Sequence, residues 1–184
     1  MPRTVRLLFC LINLGMIMPA AQAGPYIEFA LEEGGDRMAS SLQGQEVNAG
    51  GGLKFSAGLQ TRIGDQGHTA IRLAAGYLFD GFEASIGEVD FSTVTIDALL
   101  ILRRGAHVFG IGGSTHLSPD YSEKPTGFTR FDIEFDDATG LLLHYGYRFL
   151  PRMELGLRYL DMQYEATNYR YDASTVGLYI AYGI

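Results

Sequence analysis

From Tyr26 to the end of the chain, apolar residues return at every second position in eight separate stretches. A spacing of two is that of a β-strand, whose successive side chains point to opposite faces. The first stretch sets Ile27, Phe29 and Leu31 against Tyr26, Glu28, Ala30 and Glu32. The second sets Leu53, Phe55, Ala57 and Leu59 against Lys54, Ser56, Gly58 and Gln60. The third runs from Ile71 to Phe79, with Arg72, Ala74 and Gly76 on its other face. The fourth, Val94 to Arg103, is the least regular, because Leu99 and Ile101 fall among the polar positions of Thr95 and Asp97. Phe109 and Ile111 face away from Gly110, Gly112, Ser114 and His116 in the fifth. The last three are Leu141–Phe149, Met153–Tyr159 and Thr175–Ile184, with His144, Gly146, Arg148, Glu154, Gly156, Arg158 and Gly177 on their small or polar sides. No stretch after Ala23 has the 3.6-residue period of a long helix.

The content of the two faces decides which one meets solvent. A soluble sandwich or lipocalin-like barrel buries its bulky face and wets a face rich in Lys, Glu and Thr. Here the second face is mostly glycine, alanine and serine with isolated charges, a surface suited to a narrow barrel interior. The bulky face carries almost no charge, Asp161 being the main exception, as hydrocarbon requires. Tyr77, Phe79, Tyr147, Phe149, Tyr159 and Tyr182 stand near strand ends, where an interfacial aromatic girdle belongs. Connections alternate as well. Glu33–Gly50, Asp80–Ser92, Leu117–Thr139 and Glu165–Ser174 are long, whereas Arg62–Thr69, Arg103–Ala106 and Leu150–Arg152 are short. The expected fold is all-β, an eight-stranded antiparallel up-and-down transmembrane β-barrel with both termini at the short-turn rim.

The N-terminus reads as an export label. Arg3 and Arg6 precede an apolar run from Leu7 to Met18, Pro19 breaks it, and Ala21-Gln22-Ala23 supplies a cleavage pattern. The run is shorter than the roughly 20 residues of a spanning helix. Residues 1–23 are expected to be a signal peptide and 24–184 the barrel domain. Losing Arg3 and Arg6 takes the net charge from −7 to −9. That balance argues against non-specific nucleic-acid binding, which needs a basic face. The single cysteine, Cys10, lies in the leader and excludes a disulfide framework.

The final stretch carries the most specific signal. Thr175-Val176-Gly177-Leu178-Tyr179-Ile180-Ala181-Tyr182 resembles the terminal assembly signal of outer-membrane barrels, a polar residue followed by x-Gly-x-x-apolar-x-apolar. With the strand and loop pattern, the chain resembles the small eight-stranded outer-membrane proteins of Gram-negative bacteria, the OmpX/Ail group and the barrel domain of OmpA. That resemblance implies recognition by the barrel assembly machinery through Thr175, Gly177, Ile180, Tyr182 and Ile184. The family usually ends in Phe, where this chain has Ile184.

Three groups could carry chemistry. Glu28, Lys54, Arg72, Asp97, Arg148, Glu154 and Arg158 face inward by the strand pattern and are expected to pair as a ladder that plugs the lumen, because isolated burial of charge is prohibitive. His116 and Ser118 with an acid, Glu123 or Glu134, resemble the pattern of PagL-type lipid A deacylases; a rim histidine capping a loop is the other reading. The third long loop is acidic, with Asp120, Glu123, Asp132, Glu134, Asp136 and Asp137 against Lys124 and Arg130. Phe131–Asp136 alternates, so strand six is expected to run beyond the membrane with Asp132, Glu134 and Asp136 on one face. These three carboxylates are candidates for a divalent cation, without EF-hand spacing.

The expected protein is a non-catalytic, monomeric outer-membrane barrel without cofactor, serving envelope integrity and adhesin-like surface contact through acidic loops. Its partners would be outer-membrane lipid and lipopolysaccharide, the assembly machinery and a surface ligand, with no nucleic acid. A lipid A-modifying enzyme and a small gated pore are the alternatives.

Overall fold

The computed structural model describes residues 23–40, 46–64, 68–84, 87–125, 129–167 and 169–184. The export label therefore lies outside the described residues, apart from Ala23, which opens the first strand. The chain forms β1 (Ala23–Gly34), β2 (Arg37–Ser40), β3 (Glu46–Asn48), β4 (Gly52–Ile63), β5 (Thr69–Ala84), β6 (Gly87–Arg104), β7 (His107–Pro125), β8 (Phe131–Glu134), β9 (Ala138–Leu150), β10 (Met153–Asp161), β11 (Gln163–Ala166), β12 (Tyr169–Asp172) and β13 (Thr175–Gly183). Eight of these close a ring in the order β1, β4, β5, β6, β7, β9, β10, β13, every neighbour antiparallel. Closure comes from β13 pairing with β1, in a register that sets Phe29 opposite Ile180 and Leu31 opposite Leu178. No edge of the ring is left unpaired, the condition for a sheet in hydrocarbon.

Strand alternation becomes alternation of exposure. Phe29, Phe55, Leu100, Ile111, Leu143 and Leu178 point out and are exposed, while Glu28, Lys54, Arg72, Asp97, His144 and Arg158 point in and are buried. Leu99 and Ile101, which break the pattern of the fourth stretch, are inward-facing and fully covered, and they join an apolar cluster with Val108. An apolar band of this extent far exceeds the few hundred Å² that a water-soluble monomer exposes.

The two rims differ. β5, β6 and β7 have 16, 18 and 19 residues, against 9 in β10 and 9 in β13. β5 and β6 stay in register as far as Ala84 opposite Gly87, so the second long connection is a tall hairpin. The first and last long connections form the β2–β3 and β11–β12 hairpins, and Val47, Phe91, Tyr121, Phe135, Met162 and Tyr164 at this end are buried in the same apolar cluster as Leu99, Ile101 and Val108. Backbone bonds tie these hairpins down, from Asp36 N–H to Asp172 O (2.6 Å) and from Asp136 N–H to Glu165 O (2.8 Å).

One expected element changes. Strand six does not run unbroken through Phe131–Asp136. It starts at Ala138, and Phe131–Glu134 is a separate strand, β8, paired with Asp120–Glu123 of β7. The cause is the burial of Phe135: its ring sits in the outer core against Tyr164 at 5.6 Å, and its N–H bonds Pro119 O at 2.9 Å, which bends the chain between β8 and β9.

Candidate functional site

Mid-barrel, the lumen is filled by ions. Arg158, from β10, is the hub. Its guanidinium lies 3.0 Å from Glu28, 3.2 Å from Glu32 and 3.4 Å from Asp97. Asp97 also takes Lys54 Nζ at 2.7 Å and the Ser114 hydroxyl at 2.6 Å. Closer to the short-turn rim, Arg72 donates to Glu154 at 3.0 Å and to Gln60 at 3.1 Å, and stands over the Tyr26 ring at 4.8 Å. The Tyr179 hydroxyl donates to Glu154 at 2.5 Å, and its ring stacks on His144 at 4.6 Å. Thr175 donates to Glu32 at 2.8 Å. Four carboxylates thus face three cations, with hydroxyl donors supplying the remaining contacts. Burial of this kind is tolerable only because each charge has a partner.

Glycine makes the room. A Cβ on Gly146 would meet the Tyr179 hydroxyl and lie 2.7 Å from Glu154 Oε1, and one on Gly177 would come within 3.1 Å of both Arg158 and Glu32. The small residues of the polar face are therefore opposite the large ions rather than interchangeable with them.

Several candidates sit elsewhere than their spacing suggested. Arg148 is outside the network. It lies one step nearer the rim than Gly146 on the inward side of β9, and donates to Gly105 O at 2.9 Å. Glu32, Thr175 and Tyr179 belong to the network instead. All three occupy inward positions of their strands, the signal that would have found them.

His116 and Ser118 do not form a nucleophile–base pair. His116 is buried and bonds the Tyr164 hydroxyl at 2.5 Å, whereas Ser118 is exposed with φ of 45° and bonds Asp137 through its backbone N–H. The register between β6 and β7 shifts at this point, where Val94 faces Leu117 but Ser92 faces Asp120, so Ser118 falls in the irregularity and no longer shares a strand face with His116. Glu123 accepts from the Tyr121 hydroxyl at 3.2 Å.

Asp132, Glu134 and Asp136 do not converge. The first two stand exposed on β8, Asp132 is held by Arg130 at 2.6 Å, and Asp136 lies beyond the strand end. Among the described residues no group of three His, Cys, Asp or Glu is placed to hold a metal ion. Partial burial and the nearby Asp132 and Glu134 carboxylates push Asp120 above the usual carboxylate range, whereas the Arg130 hydrogen bond holds Asp132 below it.

In β13, Thr175 and Gly177 face the lumen, Ile180 and Tyr182 face outward, and Ile184 follows the strand, its N–H bonded to Pro25 O at 2.8 Å.

A closed ring of eight antiparallel strands, greasy outside and ionic inside, is the fold of the small outer-membrane β-barrels. No protein-family model matches the chain, and no curated protein is similar to it in sequence. Among solved structures it is similar to Ail, the attachment invasion locus protein of Yersinia pestis, with a TM-score of 0.56 and 11% identity over 89% of this chain and 98% of that one. Ail in complex with the heparin analogue sucrose octasulfate gives 0.55 and 10% over the same shares. Neisserial surface protein A gives 0.52 and 14%, covering 88% of this chain and 97% of its own. At these identities the likeness is one of fold.

Proposed function

We propose that the protein is an integral outer-membrane barrel without catalytic activity, contributing to envelope integrity and making surface contacts through its long-loop end. In this reading residues 1–23 export the chain, Thr175, Gly177, Ile180, Tyr182 and Ile184 address it to the barrel assembly machinery, and it sits as a monomer among phospholipid and lipopolysaccharide. The carrying observation is the exposed apolar band on all eight ring strands around a lumen closed by ion pairs. A gated pore is disfavoured because Arg158 and its three carboxylate contacts occupy the cross-section. A deacylase is disfavoured because Ser118 lacks a base.

Surface contact is argued from charge and shape. β8 is the outermost strand of the sheet, with Phe131 exposed and Asp132 and Glu134 alongside it. An exposed strand edge can accept a partner strand. Ail has been seen with an anionic sugar analogue, but the acidic loops here suit a basic partner.

The test is expression in a Gram-negative host, fractionation, and gel migration with and without boiling. Outer-membrane recovery with a heat-dependent shift is expected, as is retention of cells on polylysine-coated beads that Asp132→Lys combined with Glu134→Lys abolishes. Periplasmic recovery, or an unshifted band from folded protein, would overturn the barrel. Bead retention unaffected by the two substitutions would overturn the acidic contact surface.

A further inference from the structure

The short-turn end of the ring opens into a cavity of about 870 Å³. Its charged lining comes from Arg62 at the end of β4, Arg72 on β5, Arg103 on β6, Arg148 on β9, Arg152 in the turn after β9, and Glu154 on β10. Glu154 is already engaged, by Arg72 and by the Tyr179 hydroxyl, and this pair forms the floor. The other four guanidinium groups have no carboxylate partner among the described residues. Asp65 of the β4–β5 turn lies outside those residues, and a terminal carboxylate on Ile184 would stand at the mouth; with both counted, the cations remain in excess.

Two of these arginines are turned inward rather than toward lipid. Arg103 continues the lumen-facing series Asp97, Leu99 and Ile101 of β6, and Arg148 continues Leu142, His144 and Gly146 of β9. Their Nε atoms are buried and have no hydrogen-bond partner among the described residues. A buried donor without a protein acceptor is uncommon in a folded protein and is satisfied by water, an ion or a ligand. Neighbouring guanidinium groups inside a low-dielectric wall focus a positive potential into the cavity.

We propose that this mouth binds a small, multiply charged phosphate-class anion, a phosphate ester or diphosphate, from the periplasmic side. Guanidinium forks match phosphate oxygens in bidentate geometry. The cavity falls in the range of roughly 300–1,000 Å³ typical of small-ligand sites. The phosphate can come from a soluble molecule or from an inner-leaflet lipid headgroup reaching over the rim; the chemistry that recognises it is the same. At the floor of the site, the Arg72–Glu154 pair stops the anion from going further, so the mouth is a receptacle and not a channel entrance. The periplasmic placement rests on the outer-membrane reading, whereas the anion site needs only the closed barrel.

The experiment uses the mature chain folded in phosphatidylcholine nanodiscs, titrated calorimetrically with pyrophosphate. Gel migration without boiling checks each sample for closure, so failure of the barrel is read separately from failure of the site. Saturable binding is expected, weakened about tenfold or more when Arg103→Gln and Arg148→Gln are combined. Arg37→Gln, on the exposed β2–β3 hairpin of the opposite end, is expected to leave binding unchanged. Adding phosphatidylglycerol to the nanodiscs separates the sources. Competition with pyrophosphate identifies a headgroup as an occupant, and indifference identifies a soluble anion. No saturable binding by closed wild-type barrel, or equal binding by the double variant, overturns the proposal.

Discussion

At the long-loop end, carboxylates from β6, β7, β8 and the β11–β12 hairpin project from tall, paired strands over an apolar core. At the short-turn end, a cavity is lined by arginines from β4, β5, β6, β9 and the turn after β9. The two ends lie on one continuous set of strands, so the barrel itself does not dictate the contrast. The difference lies in what fills each end. The long-loop end is filled by apolar packing, with its carboxylates on the outside. The short-turn end is an open cavity whose lining carries the arginines. Between them the Arg158 hub fills the lumen and separates the two ends.

Breaking that partition should have the largest effect. Arg158→Met removes the cation shared by Glu28, Glu32 and Asp97 and leaves Lys54 as the nearest remaining charge for Asp97. Loss of one partner from a buried ionic cluster costs about 3–5 kcal/mol, to be read from the urea midpoint of barrel closure followed by gel shift. Tyrosine fluorescence is the convenient optical probe, since the chain has 11 Tyr and no Trp. An unchanged midpoint would mean that Lys54 beside Asp97, Arg72 beside Glu28 and lumen water suffice to hold the three carboxylates without Arg158.

Phe135→Ala should come next, at about 3 kcal/mol or somewhat less, because the outer core can partly collapse into the space. Its signature is local. Hydrogen exchange should rise at Asp136 and Asp36, whose backbone bonds tie the hairpins together, while the short-turn end stays protected. Uniform loosening of both ends would contradict a local role for Phe135.

Smaller still is the effect of acid on the outer rim. The Arg130 hydrogen bond lowers the Asp132 pKa. A depressed carboxylate contributes stability above its unfolded pKa and loses it as pH falls through the folded one. Because Asp132 is exposed, the shift should be visible in an NMR titration of its side-chain carbon while overall stability barely moves. A midpoint at or above ~3.9 would show the contact to be absent in solution.

Much of the ring could be read from the chain because period two survives in every ring strand, and because bulky residues on one face with glycines on the other leave a single orientation in a membrane. Where the reading strayed, tertiary packing outweighed local pattern. The alternation of Phe131, Ile133 and Phe135 is genuine, but burial of Phe135 under the β11–β12 hairpin breaks the strand that alternation alone implies. His116 and Ser118 are two positions apart, yet a register shift and a positive φ at Ser118 send them apart. Arg148 has the right parity for the lumen but the wrong depth, and depth cannot be judged from parity. The same arginine shows what could have been noticed. Arg62, Arg103, Arg148 and Arg152 all flank short turns, so a basic rim was legible as soon as charges were sorted by turn rather than by strand face.

The central claim is the inverted barrel, apolar outward and ionic inward. Spin labels on the mature chain, which has no cysteine of its own beyond Ala23, test it directly with Leu142→Cys and Leu143→Cys. In lipid nanodiscs, the label at 143 should be mobile and relaxed by oxygen dissolved in the acyl chains, and the label at 142 should be immobile and sheltered from it. Oxygen-accessible label at 142 with a shielded label at 143, or a mature chain that stays monomeric and folded in plain buffer, would contradict the account.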